Sequence, residues 1–235
     1  MRLDMQRLDK ILSEAGICSR RDCERLVRKR LILVNDSPAV SAASKIPDDA
    51  VISVDGMPVV RRRRMVCIMN KRAGLVTSTD DPQSPTVMDD LPDEMLGQLI
   101  VPAGRLDKDT EGLLVFTNDG ALLHRLISPK SEVTKEYYIE YEGTLQADAP
   151  EKAKTGITLK DGSVCKSADL VLLQGGKCTI CIREGMYHQV KRMIAALGGH
   201  VTFLRRTRIG ALEIGDLKPG EVRELSEKET ENLFL

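Results

Sequence analysis

The chain holds no tryptophan, three phenylalanines and four tyrosines in 235 residues, so any aromatic surface it offers a ligand is built from very few rings. It also has no apolar run near the roughly 20 residues that a membrane-spanning helix takes. The segment MRLDMQRLDK is too charged for a secretory signal peptide, and a soluble, cytoplasmic protein with no membrane partner is expected. Three histidines (His124, His188 and His200) are too few to assemble a histidine metal cluster, and serine-hydrolase and phosphate-loop motifs are absent. Six cysteines (Cys18, Cys23, Cys67, Cys165, Cys178 and Cys181) follow no disulfide framework. Cys178 and Cys181 form a C-x-x-C inside the alternating strand pattern KCTICIRE, with no second ligand pair nearby, which fits packing better than zinc. No internal repeat or low-complexity segment occurs.

Net charge is absent too, with 35 Lys and Arg against 35 Asp and Glu, yet the balance is uneven along the chain. Residues 1–64 hold fourteen cationic against nine anionic side chains, and residues 65–235 hold twenty-one against twenty-six, so a +5 head precedes a −5 body. Such asymmetry suggests a basic binding module joined to a different kind of domain, and the length suits a small unit followed by a medium one. The boundaries read as 1–60 and 65–235, with Arg61 to Arg64 between them as a basic linker able to touch phosphates.

In the head, Leu8 to Glu14 reads as a helix ending at Gly16, and a second helix opens at Ser19 with Asp22 as a capping-box acid. Cys23, Leu26, Val27 and Arg30 share one narrow stripe. Arg20, Arg21, Arg25, Arg28 and Lys29 remain for the solvent, a cluster that fits the phosphate-rich surface of structured RNA. LILVNDSPAV and VISVDGMPV then read as short strands around turns.

The body is rich in strands: Met65 to Asn70, Leu75 to Ser78, Leu113 to Thr117, Lys135 to Tyr141, Leu170 to Leu173 and Cys178 to Arg183. Helices are expected at Ala121 to Ile127, Tyr187 to Leu197 and Glu227 to Phe234, the last capped by Ser226 with Glu229. Without regular strand–helix alternation, the fold class is α+β with a mixed, mainly antiparallel sheet flanked by helices. The Pro- and Asp-rich stretch Thr79 to Asp93 is a long excursion of the kind that carries function.

Within the body, GRLDKDTEGLLVFTNDG (Gly104 to Gly120) sets Asp107 on a loop braced by a short buried strand, with Arg105 two residues before it. A carboxylate so placed suits nucleophilic catalysis, although a solvated charged turn has the same composition. The spacing imitates a calcium loop as far as Gly112, but Asn118 stands where a bidentate glutamate is required. Tyr137, Tyr138 and Tyr141 cluster in TKEYYIEYEG. In EGMYHQVKRMIAALGG, Val190, Met193, Ile194 and Leu197 form an inner stripe that leaves Lys191 on another face. Arg205, Arg206 and Arg208 beside Phe203 suit an RNA backbone or a polar sheet edge.

Two resemblances follow from these residues. RLDKIL, SRRDCERLVRKR and LVND, where Asp36 stands in place of a customary glycine, are similar to the S4-like RNA-binding domain. GRLDKDTEGLLVFTNDG, KEY and EGMYHQVKRM resemble, in the same order, the motifs of bacterial pseudouridine synthases that modify ribosomal RNA; STDDPQSPTV and HQVKRM are similar to the small-subunit branch. The resemblance implies isomerisation of a uridine of 16S rRNA, uridine 516, by an aspartate nucleophile, with no cofactor and no metal. It implies Asp107, Tyr137 and Lys191 as catalytic residues, with Arg105, Leu106, Arg192 and Leu197 against the substrate nucleotide. Arg20, Arg21, Arg25, Arg28, Lys29, Arg205 and Arg206 would hold RNA. Asp107 would attack the sugar, attack the base or assist an elimination, and the residues do not choose among these. The implied partner is ribosomal RNA or a small-subunit assembly intermediate, and the expected state is a monomer. Alternatives are a large-subunit (23S) synthase, a noncatalytic assembly factor, or a hydrolase using Asp107 with Glu111.

Overall fold

The computed structural model describes residues 5–59 and 63–235, which fall into two compact units, Met1–Arg63 and Arg64–Leu235. Arg61 and Arg62 of the basic tract lie outside the described residues. No helix among the described residues is long and apolar enough to cross a membrane.

In the first unit β1 (Met5–Arg7) leads into α1 (Leu8–Glu14) and α2 (Arg20–Arg28). β2 (Ile32–Val34), β3 (Ser37–Pro38), β4 (Lys45–Pro47), β5 (Ile52–Val54) and β6 (Met57–Pro58) follow. The expected cap is present: Ser19 Oγ accepts from the Asp22 amide at 3.2 Å and donates to its carboxylate at 2.6 Å. Leu8, Ile11 and Leu12 of α1 and Cys23 and Val27 of α2 meet Ile32, Ile46 and Ile52 in one small core. The antiparallel sheet β3-β2-β5-β6 is made of two hairpins. Their turn residues, Asn35-Asp36 and Asp55-Gly56, all take positive φ, as two-residue hairpin turns with the twist of the strands require. Asp36 therefore occupies a left-handed position that Asx side chains tolerate, which is why the turn survives without the customary glycine.

In the second unit the elements are β7 (Val66–Lys71), α3 (Asp93–Gly97), β8 (Val101–Pro102), β9 (Glu111–Thr117), α4 (Gly120–Ile127), β10 (Lys135–Gly143) and α5 (Ala149–Thr155). β11 (Asp169–Leu173), β12 (Lys177–Ile182), α6 (Gln189–Ala196), β13 (Gly199–Ile209), β14 (Leu212–Glu213), β15 (Val222–Glu224) and α7 (Glu227–Asn232) complete it. Seven strands form the path β11-β12-β10-β13-β9-β7-β15, with β14 on β13 and β8 on β9. Among the described strands of this sheet only β9 and β13 run parallel, so the sheet is mixed and mainly antiparallel.

Both faces of this sheet are covered. On β7 and β9, Cys67, Met69, Leu114 and Phe116 point into one core with α5 and α6, while Val66, Ile68, Leu113 and Val115 enter a second with α4 and Leu233. Burial on both sides explains why these strands read as continuous apolar runs without alternation. Leu75 to Ser78, expected as a strand, forms only an isolated bridge between Val76 and Thr86. β13, an eleven-residue central strand, was hidden by its three arginines.

Candidate active site

The loop carrying Asp107 is positioned from beneath by a lysine. Lys71, at the end of β7, is fully buried, and its Nζ donates to the carbonyl oxygens of Arg72, Asp107, Lys108 and Thr110 at 2.8–3.3 Å. Burial pulls its pKa down to about 8, against the pull of Asp109, Glu111 and Asp107. A second clamp is reciprocal: Thr77 Oγ1 donates to the Leu106 carbonyl at 2.7 Å and accepts from the Leu106 amide at 3.1 Å. The Gly74 amide donates to the Lys108 carbonyl at 2.7 Å. The loop backbone is thus fixed on either side of Asp107 before any partner of its carboxylate is considered.

Those partners come from the start of α6. Lys191 Nζ lies 3.1 Å from Asp107 Oδ2 and 2.6 Å from Asp109 Oδ1, and His188 Nε2 lies 3.5 Å from Asp107 Oδ1. Burial lowers the Lys191 pKa, but Asp109 and Asp107 outweigh it and the net shift is upward. Burial of Asp109 is likewise outweighed by its bond from Lys191, and its pKa falls below the ordinary value. The helix begins two residues later than expected because His188 takes a left-handed conformation (φ 47°) ahead of it. Buried Gln189 anchors this turn, accepting from the Met186 amide at 2.9 Å and donating to Glu184 at 2.7 Å.

Asp107, Lys191 and His188 line a cavity of about 760 Å³ whose walls include Tyr137, Leu204 and Ile182. Its size falls in the range of small-ligand pockets, roughly 300–1,000 Å³. Tyr137 is buried beside a register shift: Glu136 pairs with Arg208 but Tyr137 pairs with Arg206, skipping Thr207. Such a bulge re-aims side chains next to a site. At the parallel pairing of β13 with β9, Gly112 (φ +104°) has no alternative, since a Cβ there would stand 2.2 Å from the Arg206 carbonyl oxygen.

The other expected site residues divide. Arg105 is exposed at the rim and pairs with no carboxylate among the described residues, and buried Leu106 lines the cavity. Leu197 is buried in the core at the end of α6, outside the cavity lining, and Arg192 turns away to Asp161 and the Tyr187 carbonyl. The side chains of Arg20, Arg21, Arg25, Arg28 and Lys29 are exposed. Arg206 needs correction as a surface contact to an RNA backbone. It is 3% exposed, because central β13 presents it to the walled cavity rather than to open solvent, with Nε donating to the Leu113 carbonyl at 2.7 Å. Arg205, partly buried, pairs in register with Glu111 on the same parallel bridge. Glu111, which the hydrolase alternative would pair with Asp107, does not line the cavity. Lys71, Thr77, His188 and Gln189 escaped the sequence reading; a lysine closing an apolar run was the one signal available.

A two-unit chain with a guarded carboxylate beside a nucleotide-sized cavity defines the class, and comparison with known proteins gives it a family. Residues 65–196 match the RNA pseudouridylate synthase family and residues 6–52 the S4 domain. The chain is 38% identical to an uncharacterized RNA pseudouridine synthase of Bacillus subtilis, covering 95% of this chain and 96% of that one. It is also 38% identical to the ribosomal small subunit pseudouridine synthase A of Escherichia coli, covering 95% and 97%. Among solved structures, the crystal structure of a pseudouridylate synthase aligns with a TM-score of 0.70 at 32% identity, over 97% of this chain and 99% of that one. The chain belongs to the RNA pseudouridylate synthase family and is an RNA pseudouridine synthase with an amino-terminal S4 domain.

Proposed function

We propose that this enzyme isomerises a uridine of small-subunit ribosomal RNA, with Asp107 as nucleophile and uridine 516 as the position implied by the resemblance. The observation that carries the reading is the 3.1 Å approach of Lys191 to Asp107 at a cavity walled by Tyr137. Near-complete coverage of the Escherichia coli small-subunit enzyme supports the choice of RNA.

Breaking the bond between uracil N1 and the ribose leaves positive character on the anomeric carbon, which a carboxylate captures, as in retaining glycosidases. Asp107 takes that role, and Lys191 Nζ, 3.1 Å from its Oδ2, holds the carboxylate in place and balances its charge. The uridine must first leave its stack, a cost of roughly a few kcal/mol. Tyr137 offsets this by stacking on the extruded ring, and it helps to remove the C5 proton that must leave after the ring has turned and C5 has joined the sugar. Arg105 at the rim holds the emptied position open. Residues 1–60 bind RNA through the exposed arginines of α2, 61–64 link, and 65–235 catalyse, in a cytoplasmic monomer.

The test pairs mapping of pseudouridines in cells lacking the gene with Asp107→Asn assayed on the RNA so identified. Loss of one small-subunit pseudouridine is expected, together with a variant that binds RNA within twofold of wild type and turns over at least about 10⁴-fold more slowly. A missing large-subunit modification would move the target to that RNA. Full activity of Asp107→Asn would remove the proposed nucleophile.

A further inference from the structure

We infer that Arg206 is a further catalytic group, donating hydrogen bonds to the uracil ring and holding the negative charge the ring acquires when it leaves the sugar. The inference rests on the reaction proposed above.

Arg206 is 3% exposed, yet it lines the cavity together with Asp107 and Tyr137. Its three nitrogens are unequally employed. Nε is fixed at 2.7 Å on the Leu113 carbonyl, Nη1 makes a long contact of 3.4 Å to the Tyr137 hydroxyl, and Nη2 is buried without an acceptor. A guanidinium that merely filled the space beside β9 would find acceptors for its Nη groups as well as for Nε, because an orphaned buried N–H costs about 1–3 kcal/mol. The arrangement fits a donor held in place by one nitrogen and offered to a ligand by another.

The surrounding charge says what that ligand must be. Lys135 lines the same cavity, its Nζ donating to the Val133 carbonyl at 3.0 Å and to no carboxylate among the described residues. Burial, and then the neighbouring Arg206, push the Lys135 pKa down to about 8. The carboxylates of the lining, Asp107 and Glu184, are engaged elsewhere: Asp107 with Lys191 and His188, Glu184 with Gln189 and the Lys166 amide. Among the described residues the Tyr137 wall is therefore cationic with no lining carboxylate paired to it, and a ligand that becomes negative against it relieves the repulsion.

Uracil does so during this reaction. When the N1–C1′ bond breaks, its electron pair goes to N1 and spreads onto O2 and O4, while C1′ bonds to the Asp107 carboxylate. After the ring turns, C5 gives a pair to C1′ and the carboxylate departs with its own; C5 loses its proton and N1 gains one, so composition is unchanged. Arg206 acts at the first step, where charge on the ring is greatest, and Asp107 answers the opposite charge on the sugar. Preorganised donors aimed at developing charge are worth about 10²- to 10³-fold in rate each.

Three measurements test this. In single turnover, Arg206→Gln should cleave the glycosidic bond about 10²- to 10³-fold more slowly on uridine RNA, with RNA affinity within twofold. On RNA carrying 5-fluorouridine, whose fluorine stabilises the departing anion, the deficit should shrink at least tenfold. Equal deficits on both substrates, or an affinity loss matching the rate loss, overturn the inference. Because Arg206→Gln can unfold the strand junction, barbiturate, a pyrimidine anionic at neutral pH, is titrated into the unaltered enzyme. It should inhibit at least tenfold more tightly than uracil, and equal or weaker inhibition also overturns the inference. Failure of wild type to form pseudouridine would sink the proposed function instead.

Discussion

Cations are used in opposite ways in the two units. Around the cavity they are buried and locked, as with fully buried Lys71 on four carbonyls and Arg206 on the Leu113 carbonyl. On α2 they stand in solvent, and Arg25 makes an exposed pair with Asp22 at 3.3 Å. The same residue types thus do two jobs. A locked cation sets the position of a reacting group, where an ångström decides the rate. A free one contributes charge density, which grips a phosphate backbone without needing fixed geometry.

The sharpest way to break that contrast is Lys71→Met. Several carbonyls of the Asp107 loop lose their donor, so stability should fall by about 2–4 kcal/mol and turnover by about 10²-fold or more. RNA affinity should hardly move. Denaturant melts, single-turnover rates and filter binding measure the three quantities, and normal turnover in a destabilised protein would show that Lys71 supports the fold alone.

Replacing Arg21, Arg25 and Arg28 together by Gln is the converse experiment. Affinity at physiological salt should weaken about 10- to 100-fold, and the slope of log affinity against log salt should flatten by about 2 to 3. The rate of bound RNA should stay within twofold. An unchanged salt slope would mean that this helix does not face phosphates.

How much of this contrast could be read from the sequence depends on where each cation lies. The α2 arginines were legible because a capped helix with a narrow apolar stripe leaves its other residues in water. The strand ahead of Asn118-Asp119-Gly120 was legible from its apolar run, and the Ser226–Glu229 capping box from its spacing. The Asp107–Lys191 pair came from resemblance to a family, since 84 positions separate them and no periodicity links a loop to a distant helix. β13 was illegible because hydropathy treats Arg206 as surface, whereas a strand junction with a free carbonyl can hold it inside. α5 was missed because APEKAKT buries only Ala149 and Ala153, a stripe too slight to stand out.

pH separates the two uses of charge more finely. Burial holds Lys71 at about 8 in the folded protein, while the unfolded chain keeps the ordinary value near 10.4. Between those values the unfolded state binds more protons, so this group makes stability rise with pH from about 8 to about 10.4 and adds no slope below that window. Activity should move the other way, because a neutral amine has one donor fewer for the loop carbonyls. Chemical melts and rates from pH 7 to 10 would show both trends. In Lys71→Met that contribution should vanish, leaving the rise from Lys135, also near 8, against the opposing fall from the buried thiols of Cys23 and Cys178, pushed up to about 12 and about 11. A rise identical to wild type would place the titration elsewhere.

The smallest effect is expected where the second unit closes on itself. Ser226 caps α7 by accepting from the Glu229 amide at 3.3 Å, while the Glu229 carboxylate accepts from the Ser226 amide at 3.0 Å. α7 carries Leu233 into the core on the face of the sheet formed by Val66, Ile68, Leu113 and Val115. Ser226→Ala should cost about 1 kcal/mol, lowering Tm by roughly 2–4 °C. Neither RNA affinity nor single-turnover rate should change, because neither Ser226 nor Glu229 lines the cavity. A rate that fell with the cap would mean that this second core transmits strain through β9 to the loop of Asp107, and the locking of that loop by Lys71 and Thr77 would then be incomplete.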